Sequence, residues 1–383
     1  MIYADYNGST PLCSKVQEFL VKRLQEGGFS NPNSTHALGK RLMFAMEKSR
    51  RVLANSLGCK SPQIVFNSGS SEGITQIFHS VLGLAPKNEK NIIITSGIEH
   101  AAVVQCCALF EKRGYEVITL KTKNDGVVNL AHLEEILKAK GSQVAMVTCM
   151  AANNENGIIQ PFKEIGKLSH DHGTIYFSDT TQYIGKTKFN FAESNMDYAV
   201  SSSHKIGALI GSGLIISKVA DSLSPLILGG GQERGIRGGT QNYIAIETMG
   251  IAMDSFDSNI EHLKTVNELR LRFEKNIKKK FPKVVIIGED SPRLATTTMI
   301  AYPGIIGQHI QIELEAKEIY VTTSSACSDK KVQVSRVLQA MGTDEEVGLS
   351  VVRISLCMNA NQELYNNIEA ALSDAYNKHK AYL

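Results

Sequence analysis

The sequence has little net charge for its size: 41 Lys and Arg against 38 Asp and Glu leave +3 over 383 residues. That surplus argues against a nucleic-acid or anionic-membrane partner. No apolar run approaches the roughly 20 residues that span a bilayer. The opening Met1-Ile-Tyr-Ala-Asp has no basic segment leading an apolar one, so no signal peptide is read there. Seven cysteines make an odd count without paired spacing, and no metal-ligating set is read among them. Cys106 and Cys107 are adjacent, and adjacent cysteines seldom bridge each other. A reduced, cytoplasmic compartment is the expectation. Internal repeats and low-complexity segments are also missing. What remains is an ordinary globular composition, 43% hydrophobic and 21% charged, in a chain long enough for two domains.

Chemistry concentrates around Ser201-Ser-Ser-His-Lys205. Residues 198–202 read as a strand that enters a short polar turn ending on His204 and Lys205. Gly207, Gly211 and Gly213 follow, then a second apolar run at 214–216. A lysine between two buried strands is a poor candidate for a solvated charge. Burial lowers its pKa and makes the amine a usable nucleophile. Upstream, a strand at 174–178 ends on Asp179, with Gln182 just beyond. An acid and a lysine at two strand ends suit pyridoxal phosphate, which takes the lysine as a Schiff base and uses the acid to hold its pyridinium proton. Taken alone, the two residues read rather as an exposed lysine and a turn aspartate.

The wider pattern adds weight. Helical spacing is expected over 12–25 and 37–57, with a polar loop at 29–36 between them. A strand at 63–66 leads into Asn67-Ser-Gly-Ser-Ser-Glu-Gly73 and a helix to about 84. Free N–H groups at such a helix start make an anion site, and Ser71 adds a hydroxyl. A plain serine cap is the competing reading. Strands at 91–95, 116–120, 143–148 and 174–178 then alternate with helices at 100–112, 130–140 and 162–172. This rhythm predicts an α/β fold whose mostly parallel sheet is covered on both faces, with ligands at the carboxyl ends of the strands. His100, Asn153-Asn154-Glu155-Asn156, Asp179 and Lys205 all fall at such ends. The glycine-rich stretch 229–240 carries two arginines and Thr240, and reads either as a flexible linker or as an anion-approaching loop. One long helix, 243–280, is predicted to cross into a second domain. Strands at 284–287, 297–301, 319–323 and 351–355 and helices at 308–317, 334–341 and 361–378 give that domain a mixed pattern. There Thr323-Ser-Ser-Ala-Cys327-Ser-Asp sets a cysteine among small polar residues at a strand end. Arg353 is suited to clamp a carboxylate bidentately, or to sit in a surface ion pair.

These motifs occur in a familiar order: Asn31-Pro32, Asn67-Ser-Gly-Ser-Ser-Glu72, Glu99-His100, Asn153-Asn-Glu155, Ser178-Asp-Thr-Thr-Gln182, Ser202-Ser-His-Lys205, Gly229-Gly-Gly-Gln-Glu-Arg234 with Arg237-Gly-Gly-Thr240, and Ser324-Ser-Ala-Cys327-Ser. In that order the chain closely resembles the cysteine desulfurases, a branch of the class V aminotransferase superfamily. The resemblance implies a fold-type I PLP-dependent transferase. A large domain, 13–255, would hold a mostly parallel seven-stranded sheet. Residues 1–12 and 256–383 would form a smaller α+β domain carrying the cysteine loop.

The resemblance also implies roles. Lys205 matches the Schiff-base lysine and proton shuttle, and Asp179 the acid under the pyridine nitrogen. His100 matches the histidine stacked on the ring, and Gln182 the donor to the phenolic oxygen. Ser71, Ser202 and His204 match phosphate ligands, with Ser70 beside them among the cofactor-binding residues. Thr240 matches the ligand lent by the partner subunit of a homodimer. Asn154 falls where the family contacts cofactor and substrate, and Arg353 matches the clamp on the carboxylate of L-cysteine. Cys327 matches the nucleophile that takes sulfur as L-alanine leaves, with Cys357 as its rival. A sulfur-acceptor protein, serving iron–sulfur assembly or transfer-RNA thiolation, is the implied partner. The sequence departs from the family at Ala208-Leu209, where Gly-Pro is common, at Asn7-Gly-Ser-Thr10, at Ser324 and Lys330-Lys331, and at Ile354-Ser-Leu-Cys357-Met-Asn. A plain class V aminotransferase, a selenocysteine lyase or a non-enzymatic scaffold on the same fold remain as alternatives.

Overall fold

The computed structural model describes residues 1–86, 89–323, 326–328 and 331–380. Its central strands are buried end to end because they are apolar on both faces. Ile92 and Ile94 enter one core while Ile93 enters another. Val65 and Phe66, Tyr176 and Phe177, and Ala199 and Val200 divide in the same way. Side chains alternate along a strand, so a run that is apolar at every position can be buried only between two helical layers.

Seven such strands form one sheet. They lie in the order Ile64–Asn67, Gly213–Ser217, Tyr198–Ser202, Ile175–Asp179, Val144–Thr148, Ile92–Ser96 and Glu116–Leu120. All neighbours run parallel except Gly213–Ser217, which is antiparallel to both of its partners. Glu116–Leu120 is an edge strand and the only one of the seven with exposed positions. Helices Ser70–Leu82, Ala101–Glu111, Leu130–Lys140 and Phe162–Asp171 fill the crossovers between strands. The mostly parallel sheet expected from the rhythm is present, with the seven strands that the resemblance implied.

With the two layers on this sheet taken together as the large core, a second core lies beside it. Thr297–Ala301 pairs antiparallel with Val351–Ser355 and with Val285–Ile286. Helices His262–Lys280 and Gln362–Lys380 supply Phe273, Ile277, Tyr365 and Tyr376 to the apolar cluster. The chain's first residues belong here: Ile2–Tyr3 pairs in parallel with Ile319–Tyr320, and Ala4 is buried in this core. That docking carries Asp5, Asn7 and Gly8 towards the ends of the large sheet.

Four expectations need correction. The long helix over 243–280 is two helices, Tyr243–Ser258 and His262–Lys280. Asn259 ends the first, with its side-chain amide donating to the Ser255 carbonyl at 2.7 Å. No glycine or proline marks the break. It exists because Met249, Met253 and Phe256 feed the large core whereas Val266, Leu269 and Phe273 feed the second. The strand at 319–323 stops at Tyr320, and Thr322 makes only an isolated bridge to Arg353. Glu345–Leu349 is a short helix that the pattern did not reveal. The polar stretch around Cys327 contains two short strands: Ala326–Ser328 pairs with Lys331–Gln333, and Cys327 stands opposite Val332. Ser324, Lys330 and the side chain of Cys327 lie outside the described residues. Among the described residues no helix is long and apolar enough to cross a membrane.

Candidate active site

Asp179 and Lys205 emerge side by side because their strands are parallel neighbours, with Asp179 opposite Val200. Lys205 closes a single helical turn, Ser203–Lys205, directly after Tyr198–Ser202. Its ammonium nitrogen donates to the Asn7 carbonyl at 2.8 Å and to the Gly8 carbonyl. Both acceptors are neutral. Burial, reinforced by the nearby Arg353 charge, pulls the Lys205 pKa down to about 8, against the opposing pull of Asp5 and Asp179. Asp179 is 5% exposed and accepts the Thr181 N–H at 3.0 Å.

A cavity of about 460 Å³ opens above these two residues, a size suited to a small cofactor. Its far wall is the start of helix Ser70–Leu82, which no side chain caps. Ser70 shares a hydrogen bond of 2.6 Å with Thr181, and Ser71, Ser202 and His204 line the same cavity. Burial and the charges of Lys205 and Lys186 hold the His204 pKa below its usual value, and its Nδ1 lies 3.2 Å from Ser9 Oγ. Unsatisfied helix N–H groups, three hydroxyls and an imidazole together form a ready site for a phosphate. A buried acid and a lysine of lowered pKa lie on the same cavity. This donor set fits pyridoxal phosphate.

The other expected residues fall around it. His100 is exposed, lines the cavity and caps helix Ala101–Glu111 by accepting the Ala102 N–H at 3.1 Å. Capping and cavity-lining therefore coexist in one side chain. Asn154 lines the cavity, and its carbonyl accepts from Arg353 at 2.8 Å and from Asn7 Nδ2 at 3.2 Å. Gln182 donates to the Asn7 carbonyl at 2.9 Å. Arg353 also lines the cavity, but its ion pair is not a surface one. The residue is buried and its Nη2 meets Asp5 at 2.5 Å, while its Nε has no partner. The clamp is thus already half occupied by an internal carboxylate.

Thr240 is exposed and does not line this cavity. Its loop is tethered rather than a loose linker: Glu233 accepts both ends of the buried Arg50 guanidinium, at 2.8 and 2.9 Å, and Arg237 pairs with Glu72 at 2.9 Å. Cys357 faces a second cavity, of about 440 Å³, behind Lys205 and Lys186, together with Cys13 and Tyr6. Cys106, Cys107 and Cys149 are buried. Burial raises all three thiols, that of Cys107 to about 12.

Four functional neighbours escaped the sequence reading. Asn7 and Asp5 come from the other core, and Lys186 resembles any lysine of a polar segment. Glu99 stood in a quoted motif but without a role. It is 1% exposed, and burial raises its pKa to about 7 although the Met150 N–H donates to it at 2.9 Å. An acid next to a cavity-lining histidine was the available signal.

Residues 2–367 match the model of the class-V aminotransferase family. The chain belongs to that family. Among curated relatives, cysteine desulfurase 2 of Trichormus variabilis is 33% identical, covering 93% of this chain and 88% of its own. The cysteine desulfurase IscS of Rickettsia typhi is 34% identical, covering 93% and 86%. A solved structure described as a NifS-like protein superposes with a TM-score of 0.89 at 31% identity over the full length of both chains. Within the class-V family the chain is therefore of the cysteine desulfurase type.

Proposed function

We propose that this class-V enzyme transfers sulfur from L-cysteine to its own Cys327 and releases L-alanine. The carbon–sulfur bond of cysteine breaks and a sulfur–sulfur bond forms. The thiol becomes a persulfide, and the substrate carbon gains the proton that completes alanine. The observation that carries this reading is Lys205 and Asp179 ending adjacent strands on one cavity with an uncapped helix start. When bound, pyridoxal phosphate supplies the electron sink for the pair released at the substrate α-carbon.

The chain's own residues supply the rest. With its pKa near 8, Lys205 is partly neutral at physiological pH, so its amine can bond the cofactor and later take the α-proton onto Nζ. Asp179 would keep the pyridine nitrogen protonated, and His100 would cover the ring. Ser70, Ser71, Ser202 and His204 would hold the phosphate against the helix start. Gln182 would donate to the phenolic oxygen. Asn154 and Arg353 receive the substrate carboxylate, with Asp5 sharing the guanidinium. Residues 13–255 form the cofactor domain in this reading, and residues 1–12 and 256–383 the smaller one. An exposed Thr240 on a tethered loop supports a homodimer in which each chain completes its neighbour's phosphate site. The persulfide requires a sulfur-acceptor protein, of iron–sulfur assembly or transfer-RNA thiolation, and a reducing, cytoplasmic setting suits a sequence with an odd count of seven cysteines.

Incubation with L-cysteine should release alanine and leave one added sulfur on Cys327, read by peptide mass spectrometry. Cys327→Ser should keep the bound cofactor's visible absorbance and lose the adduct. A sulfur adduct on Cys357 with Cys327 unmodified, or normal alanine release by Cys327→Ser, would refute the assignment.

A further inference from the structure

Lys186 lies four residues beyond Gln182 and is 7% exposed. Its amine donates to two side-chain oxygens, that of Asn7 at 2.6 Å and that of Gln182. The NH₂ end of Gln182 donates to the Asn7 carbonyl, which also receives Lys205. Asn7 cannot shift to suit either lysine. Its Nδ2 donates to Thr297 Oγ1 at 3.1 Å and to the Asn154 carbonyl, and its N–H donates to Ser355 Oγ at 2.9 Å. The Lys186 amine therefore reads a frame anchored in both cores.

An amide side chain has nearly the same shape either way round, so its hydrogen bonds decide which end points where. Flipping Gln182 would set its oxygen against the Asn7 carbonyl oxygen and take an acceptor from Lys186. Both are costly in a buried site. Lys186 holds the oxygen end away from the cavity, and the second N–H of the amide stays free. The amine also suits this task electrically. Burial, with Lys205 and Arg353 nearby and only Asp5 opposing them, drives its pKa well below the ordinary lysine value. Charged or neutral, the amine has at least two N–H donors, and two acceptors face it.

We propose that Lys186 is a positioning residue that locks Gln182 with its NH₂, never its oxygen, presented to the cavity, making position 182 an obligate donor to the cofactor's phenolic oxygen. This rests on the role given to Gln182 above. A donor to an oxyanion favours the ionised form, so it lowers the pH at which the bound chromophore titrates. The test is the absorbance of the cofactor-loaded protein against pH. Gln182→Ala should raise the midpoint by about one unit, and Lys186→Met by a similar amount. The double variant should match the singles, because the two residues act through one hydrogen bond. Lys186→Ala, which admits water at the vacated site, is measured in parallel, and either folded variant decides. An unmoved midpoint in Gln182→Ala overturns the role of Gln182 and this inference with it. A shift in Gln182→Ala without one in the Lys186 variants overturns this inference alone. So does a Lys186 shift that persists undiminished in the Gln182→Ala background, since Lys186 would then act through its charge.

Discussion

In the second core, Glu274 lies between Arg270 and Arg293 at 2.8–2.9 Å, and all four terminal guanidinium nitrogens are bonded. Beneath the cavity, Lys186 is buried and Lys205 half-buried, but their partners are amide oxygens. Among the described residues neither lysine has a carboxylate within ion-pair distance. Opposite charge keeps the first cluster ionised: burial alone would raise the Glu274 pKa, and the two arginines bring it below its usual value. Neutral direct acceptors leave burial only weakly opposed by more distant carboxylates, and both pKa values fall. Burial of charge does not distinguish a structural cluster from a reactive one; the chemistry of its partners does.

The contrast can be tested by breaking each side. Lys205→Ala should cut turnover by about 10³-fold or more, since it removes both the covalent anchor and the base. Borohydride reduction of the loaded wild type should place the cofactor on the peptide containing Lys205, and an adduct on any other lysine would reassign the site. Glu274→Ala should instead cost about 3–5 kcal/mol of stability in urea unfolding, because it leaves two guanidinium groups buried without a counter-charge. Turnover per folded molecule should stay near wild type, and a specific loss of activity would erase the distinction between the clusters.

The next effects are smaller and depend on pH. For Lys205 the folded chain binds fewer protons than the unfolded one between pH 8 and the ordinary lysine value. Cofactor-free stability should therefore rise with pH across that window and be lost as pH falls through about 8. Lys205→Met should flatten the rise and add roughly 1–2 kcal/mol at pH 7. Glu99 has the opposite sign. Its folded pKa is raised to about 7, so its contribution is present below the normal carboxylate range and lost as pH rises through 7. Glu99→Gln should stabilise the chain by roughly 1–3 kcal/mol at pH 8 and do little at pH 4, as read by melting temperature. The smallest effect is at the phosphate wall. Ser71→Ala removes one hydroxyl from a site with several donors and should weaken cofactor binding by about 3–10-fold in equilibrium dialysis. An undetectable change would remove Ser71 from the phosphate ligands.

What the sequence determined by itself was local. Strand period, small-residue turns and helix starts depend on neighbours a few residues apart. The strand at 198–202, the turn to Lys205, the strand ending near Asp179 and the helix after Asn67 were therefore all legible. Placement of His100, Asn154, Asp179 and Lys205 at strand ends followed from the parallel rhythm, and these four line one cavity with six more residues whose site roles the family resemblance implied. Tertiary structure alone decided who their partners are. Gln182 meets the carbonyl of a residue 175 positions away, and Arg353 meets Asp5 across 348. The helix broken at Asn259 looked continuous because both halves keep helical spacing, and only the two separate cores required the break. Lys186 drew no reading because periodicity reports which face is apolar and says nothing about a polar side chain buried among distant amides. Such contacts arise where two cores pack against each other, and no short stretch of the chain encodes that packing.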